Sequence, residues 1–391
     1  MKPLPILFLF ILFFFSCGQK TSESYHDQAG LVPGDTLSFL IDDSTYYESK
    51  AMFQFEDHGR EYLCFQNNRN RGVSRLIIFD IEKGSIHKSV PLRKEGPNGM
   101  PSVMGAYPLD MNRFLITSNS PFFYVVDDQG TILFKSQSLY QGNGIWGKFC
   151  STFISSFASS PPVLRDSLLY FQQKYVGYPH TEESWRTSNI FAYVNLSTGQ
   201  MDATQFYFPT LFHKKEITRT LSYDTSYSHA DTGKEVAVSF ADADSIYVSS
   251  NFKDVRAYHA KSRYFPRLHP EPYDATTDLV VRLRREAQEP DYHHLLYDKY
   301  RRVFYRFARM PYEYPADRSP MGEDSGREFS VIILNDRYEI IGETKFPGST
   351  YRYRLCFIGK KGLYLSLNNL ENPCFDEDKL MFRCFTLQEK E

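Results

Sequence analysis

Residues 60–86, "REYLCFQNNRNRGVSRLIIFDIEKGSI", decide the fold. The polar pair Arg60-Glu61 opens onto the apolar run "YLCF", a polar loop follows, and "RLIIFD" at 75–80 makes a second run. Asp80 and Gly84 then bracket a short loop of hairpin chemistry, because Asp caps a turn with its side chain and Gly accepts positive φ at little cost. With "AMFQF" at 51–55 ahead of it and "SI" opening a further strand behind, the stretch reads as four antiparallel strands.

The same arrangement recurs along the chain. A polar pair and a short apolar run appear six times, with first apolar residues Tyr62, Phe114, Leu168, Ile246, Val303 and Leu363. Their separations are 52, 54, 78, 57 and 60 residues. Hairpin loops return in "VDDQGTI" and "VNLSTGQM", and "LNDRYEI" makes the same turn without its Gly. Four-stranded units repeated at this period predict an all-β, six-bladed β-propeller of antiparallel blades. The last unit stops after three strands, and "TLSFLID" at 36–42 stands alone before the first. Pairing the two would complete the last blade, close the ring and remove two exposed edges. A seven-bladed ring, with a further blade in 209–235 or 269–290, and two smaller β domains are the rival arrangements. Residues 174–189, 209–234 and 310–328 read as insertions, and "DLVVRLRREAQE" at 278–289 reads as a short helix.

The first residues set the expected compartment. Leu4 to Phe15 is an uncharged run of 12 residues after Lys2, shorter than the ~20 a spanning helix needs. It therefore reads as a signal peptide, residues 1–16. "FFSC" at 14–17 resembles the lipobox of bacterial lipoproteins, which implies a lipid on the Cys17 thiol and cleavage before it. Residues 17–35 then form the lipidated cysteine and a flexible tether, and 36–391 a single propeller domain. Membrane attachment through the anchor follows, with an outer-membrane, periplasm-facing location expected because Gly18 replaces the Asp of many inner-membrane lipoproteins and the tether lacks a dense acidic run.

Together with the repeats, "VPLRKEGPNGM" at 90–100, and Glu95-Gly96-Pro97-Asn98-Gly99 within it, resembles a family of envelope lipoproteins of Bacteroides-group bacteria with a propeller-like domain of unknown function. The resemblance covers essentially the whole mature chain. It implies a six-bladed propeller on a lipid anchor and no settled activity.

Composition narrows the partners. A formal net charge of −2 lacks the basic excess of a nucleic-acid binder, so no nucleic acid is expected. The 33 Phe and 28 Tyr against 2 Trp suit half-buried strands, with sugar-stacking platforms as the other reading. Cys64, Cys356 and Cys384 fall in strand patterns and read as buried hydrophobes, although an exported setting also permits a Cys374–Cys384 disulfide.

In a propeller the loops between second and third strands share one face with the blade connections, and ligands usually bind there. Those loops place Asn68, Asn119, Asn251 and Asn369 at matching positions, with Arg69, Arg71 and Arg309 close by. Arg93 and Arg352 belong to blade connections, and Trp185 to an insertion. Together they form the candidate ligand-binding face, cationic and rimmed by aromatics. One Asn per repeat also serves as an ordinary turn residue, and both readings stand. No catalytic residue, metal ligand or cofactor is assigned. The function expected is a non-catalytic binding or scaffolding module for an envelope protein or glycan. The alternative is a calcium-dependent hydrolase or lyase, with Asn68, Asn119 and Asn251 holding the ion in the channel. His293-His294 is not expected to share an ion, since neighbours in a regular strand point to opposite faces.

Overall fold

The structure is a computed structural model and describes residues 27–49, 51–67, 74–101, 103–118, 122–136, 156–173, 186–213, 227–265, 268, 277–320 and 326–390. The chain begins with β1 (Ala29–Leu40). A first sheet follows, made of β2 (Met52–Asp57), β3 (Arg60–Asn67), β4 (Ser74–Asp80) and β5 (Ser85–Leu92). The second holds β6 (Val103–Pro108), β7 (Arg113–Ser118), β8 (Phe123–Asp127) and β9 (Ile132–Lys135). The third holds β10 (Val163–Arg165), β11 (Leu168–Gln172), β12 (Phe191–Asn195) and β13 (Met201–Ala203). The fourth holds β14 (Tyr227–Asp231), β15 (Val236–Phe240), β16 (Ser245–Ser249) and β17 (Arg256–His259). Helix α1 (Leu279–Gln288) leads to β18 (Asp291–Asp298), β19 (Val303–Arg309), β20 (Phe329–Leu334) and β21 (Ile340–Phe346). Last come β22 (Arg352–Gly359), β23 (Gly362–Ser366) and β24 (Lys379–Glu389).

The expected six blades do not form as six separate sheets. Among the described residues, the strands make a propeller of four four-stranded blades and one eight-stranded sheet of order β18-β19-β20-β21-β1-β24-β23-β22. The cause is the reach of β1, which starts at Ala29 and not at residue 36. Its body pairs antiparallel with β24, Leu37 opposite Phe382, with a register shift between Pro33 and Thr36. Its first residue, opposite Glu389 on that edge, also pairs along the other edge in parallel with β21, Ala29 opposite Gly342. One strand thus joins two groups of strands into a continuous sheet.

A second expectation slips within the fourth repeat. Residues 236–240 and 245–249 are the second and third strands of their sheet, because β14 precedes them inside the presumed insertion 209–234. The slip accounts for part of the long interval, which is 68 residues and not 78 when counted from Leu168 to Val236.

The turns carry the chemistry expected of them. Gly84, Gly130 and Gly199 have φ of 64°, 74° and 72°. Asp80, Asp127 and Asn195 accept from the backbone N–H groups of Lys83, Thr131 and Ser197. In the turn without Gly, Tyr338 takes the positive φ, 65°, while Asn335 Oδ1 accepts from Arg337 and Glu339 N–H.

Six buried apolar clusters follow one another around the ring. One joins the first sheet to the second (Ile78, Phe114), and the next joins the second to the third (Leu115, Phe171). The third and fourth meet at Phe191 and Phe240, and the fourth meets the start of the eight-stranded sheet at Val248 and Phe304. Tyr305, Phe329, Leu363 and Phe385 share a cluster, so the two halves of the eight-stranded sheet pack against each other. Phe39, Phe79 and Phe382 close the cycle. The aromatic excess is therefore mainly core, and each fully buried Phe is worth about 2 kcal/mol of transfer free energy. Cys64, Cys356 and Cys384 are buried in these layers and Cys374 is exposed, all four as free thiols.

Candidate binding site in the central channel

The first strands β2, β6, β10, β14, β18 and β22 all contribute to one cavity of about 380 Å3 on the axis of the ring. Its wall mixes apolar side chains (Met52, Phe53, Leu295, Phe357, Ile358) with Gln54, Tyr107, His229, Asp231, Lys299 and Tyr300. Alternation along a strand explains the mixture. Each inner strand turns one side chain toward the neighbouring sheet and the next toward the axis.

The charged groups of this wall are paired. Asp231 Oδ1 accepts from Arg165 Nη2 at 3.0 Å, and Arg165 also donates to the Ser250 carbonyl. Glu56 collects Lys299 Nζ (2.7 Å), the Tyr300 hydroxyl (2.7 Å) and Lys360 Nζ (3.1 Å). These three partners hold its carboxyl far below the usual range, at about 2. Gln54 Nε2 donates to Glu61 Oε1 (3.0 Å) and to the Tyr300 hydroxyl (3.1 Å). This network ties the first sheet to the eight-stranded one. His229 is also engaged at both ring nitrogens, Nδ1 with Gln172 Oε1 (2.9 Å) and Nε2 with the Pro161 carbonyl (2.7 Å).

A second polar cluster lies where β18 begins and β19 ends. Arg309 grips Asp291 with two hydrogen bonds, 2.5 and 2.6 Å, and donates to the Tyr353 hydroxyl at 2.8 Å. Arg327 stands 3.8 Å from the same carboxylate and donates to the carbonyls of Met310 and Glu289. Between Tyr292 and Leu295 the ladder is interrupted by a bulge, and there His293 and His294 stack with ring centroids 4.4 Å apart. Their Nδ1 atoms meet in a hydrogen bond. The opposite-face expectation for this pair is thereby corrected, because the extra residue of a bulge breaks the two-residue alternation. Burial, then His294 and the arginines 309, 354 and 327, push the His293 pKa well down. Three arginines this close to the pair repel a metal cation. Among the described residues no group of three or more His, Cys, Asp or Glu is placed to hold one.

Helix α1 sits beside this cluster. Asp278 caps it by accepting from Val280 and Val281 N–H. Arg284 fastens the segment after β19 by donating to the carbonyls of Tyr314, Pro315 and Ala316.

The candidate face read from the loops is described only in part. Asn68, Arg69, Arg71, Asn119, Trp185 and Cys17 lie outside the described residues. Asn251 falls between the third and fourth strands of its sheet, not between the second and third. Its Oδ1 accepts from Lys253 and Asp254 N–H and its Nδ2 donates to Asp254, so it caps its own turn. Asn369 does likewise, accepting from Glu371 N–H and donating to the Tyr351 carbonyl. Arg309 is a buried partner of Asp291. Arg352 pairs with Glu48 at 2.9 Å and lies over Tyr47, and its burial lowers its pKa to about 10. Arg93 is exposed, and its carbonyl accepts from Met100 N–H to close the loop 93–100. Asn98 of that loop accepts from Ile132 N–H, so the segment braces the second sheet.

The groups that do line the channel, Gln54, Tyr107, His229, Asp231 and Lys299, lie on or at the ends of inner strands, where a search of loops misses them. The available signal was the first strand of each repeat, whose polar residues alternate with its core residues.

Residues 28–345 match the family described as a domain of unknown function, DUF4221. The chain belongs to the DUF4221 family. A crystal structure of a DUF4221 member from Bacteroides vulgatus is 36% identical and superposes with a TM-score of 0.85, covering 93% of this chain and all of that one. Other solved structures are far less similar. BamB from Moraxella catarrhalis is 11% identical at a TM-score of 0.40, covering 91% of this chain and all of its own. Virginiamycin B lyase from Staphylococcus aureus is 10% identical at 0.40, covering 90% of this chain and 99% of its own. These two similarities carry no inference about activity. No curated protein matches the chain.

Proposed function

We propose that this DUF4221 protein is a lipid-anchored cell-envelope module that binds a protein or glycan partner through its central channel, without chemistry of its own. The observation that carries this reading is the cavity of about 380 Å3, walled by the inner strands, whose charged groups Asp231 and Lys299 are already held in ion pairs. Its size falls within the ~300–1,000 Å3 of small-ligand sites, and its mixed wall is typical of them. A catalytic acid or base needs a side chain able to exchange protons with a ligand. Here the wall carboxylate and the imidazole are engaged with protein groups. Among the described residues nothing favours the calcium-dependent alternative, since Asn251 caps its own turn. Anchorage through Cys17 at the outer membrane, facing the periplasm, completes the proposal and rests on the N-terminal sequence alone.

The test is a plug. Leu164 lines the cavity and is 47% exposed, so Leu164→Trp fills space with little cost to the core. Immobilised mature protein should retain a partner from solubilised envelopes, and the Leu164→Trp form should release it while unfolding at the same temperature. Equal retention by both forms would show that the channel is not the binding surface.

A further inference from the structure

Two neutral hydrogen-bonding groups in the channel wall have no partner among the described residues. The Tyr107 hydroxyl makes no hydrogen bond, although burial, with a smaller effect of Asp231, pushes its pKa up and keeps it a neutral donor. The ring is held edge to face against Phe53, with centroids 4.9 Å apart. Gln54 spends its Nε2 on Glu61 and Tyr300, which fixes the amide and leaves the carbonyl oxygen Oε1 without a donor. Donor and acceptor line the same cavity, beside Phe53, Leu295, Phe357 and Ile358. Both residues are half-buried and face the cavity, and a ligand that shut either group off from water without pairing it would cost about 1–3 kcal/mol, so the favoured occupant hydrogen-bonds to both.

The remaining wall decides the ligand's charge. Asp231 and Lys299 each sit in an ion pair within 3.0 Å. Beside the largely shielded Asp231–Arg165 pair an ionic ligand would have to break that pair or lose its water next to it, which is unfavourable, while the more exposed Lys299–Glu56 pair discriminates less. A purely apolar occupant would bury the Tyr107 hydroxyl and Gln54 Oε1 unpaired. The wall therefore selects an uncharged molecule that carries both hydroxyl groups and a C–H face.

On the reading that the channel is the binding surface, we infer that it takes a neutral sugar ring, either free or at the end of a longer glycan. Tyr107 and Gln54 make its polar contacts, and the apolar wall packs on its C–H face.

Calorimetric titration of the mature protein tests this with glucose, N-acetylglucosamine, their short oligomers and glucuronic acid. At least one neutral sugar should bind, and glucuronic acid should bind more weakly than glucose. Tyr107→Phe, which keeps the ring and its packing, should weaken binding about 5- to 10-fold, the worth of one net hydrogen bond. Monosaccharide binding identifies a free ring as sufficient, and binding of oligomers alone identifies the end of a glycan. No neutral sugar bound at millimolar concentration, tighter binding of glucuronic acid, or unchanged binding by Tyr107→Phe would each overturn the inference. Failure here together with Leu164→Trp-sensitive retention of a partner rejects the sugar and keeps the channel. Failure of both rejects the binding reading itself.

Discussion

The guanidinium carbon of Arg306 lies 3.4 Å from the centre of the Tyr292 ring, and neither residue reaches solvent. Among the described residues no carboxylate forms an ion pair with Arg306. It donates to Ser239 Oγ and to the carbonyls of Ala260, Phe240 and Ala243, while Tyr292 donates to Asp244. One cation on β19 thus pins the fourth sheet and the connection that follows it onto the eight-stranded sheet. Desolvation lowers its pKa to about 10, still high enough to keep the charge at neutral pH. Arg306→Leu removes the donors and leaves four buried acceptors behind, at an expected cost of about 3–5 kcal/mol. Urea unfolding should show a large fall in midpoint with an unchanged slope. A loss under 1 kcal/mol would mean that water replaces the guanidinium.

His293 supplies a pH dependence with a definite sign. Its folded pKa is depressed, mainly by burial and then by His294 and the nearby arginines, from an ordinary value of 6.5. Below pH 6.5 the unfolded chain takes up a proton that the folded chain refuses, so stability is lost as pH falls through that value. Above it the residue contributes no slope. His293→Phe removes the titrating group, and the variant should lose stability less steeply than the parent as pH falls below 6.5. Equal slopes across that range would show that the imidazole is protonated in the fold.

Much of this architecture could be read from residues, and the failures share a physical origin. The hairpin loops were legible because Asp80 with Gly84, and Asp127 with Gly130, announce their turns by side-chain chemistry and positive φ. Strand β14 was not, because "YSHAD" lacks the unbroken apolar run of its neighbours and its His229 and Asp231 face the channel. The parallel pairing of Ala29 with Gly342 was hidden as well. Parallel contacts between distant segments need no turn, and so leave no local mark in sequence. The bulge at His293-His294 is similar, since an inserted residue reads as ordinary strand until its partner is known. Asn251 and Asn369 serve their own turns, the ordinary role of a loop asparagine.

In the proposed reading Cys17 carries the localisation. Two or three acyl chains at about 0.8 kcal/mol per buried CH₂ hold a protein on a membrane, whereas a cleaved leader alone releases it. Cells expressing the parent and labelled with an alkyne fatty acid should yield a labelled, membrane-fractionating protein. Cys17→Ser should abolish the label and leave the chain as unprocessed precursor or in the soluble fraction. Retained label in the variant would place the acyl group elsewhere.

Gly342 is where the eight-stranded sheet is most vulnerable. A Cβ built at this position would lie 1.9 Å from the Ala29 carbonyl oxygen, closer than any contact can be. The obstacle is backbone, so no side-chain rotation relieves it. Gly342→Val must therefore push β1 away from β21, breaking the Ala29–Gly342 pairing and the nearby hydrogen bond from Gln28 N–H to the Ile341 carbonyl at 2.8 Å. The antiparallel pairing of β1 with β24 is untouched by this change, since it uses the opposite edge. The expected result is a loss of about 1–3 kcal/mol, in the range of overpacked sites. Hydrogen exchange should quicken at residues 28–31 while protection at 36–40 persists. Quickened exchange along the whole of β1 would instead show that its two edges form as one cooperative unit, with ring closure depending on both.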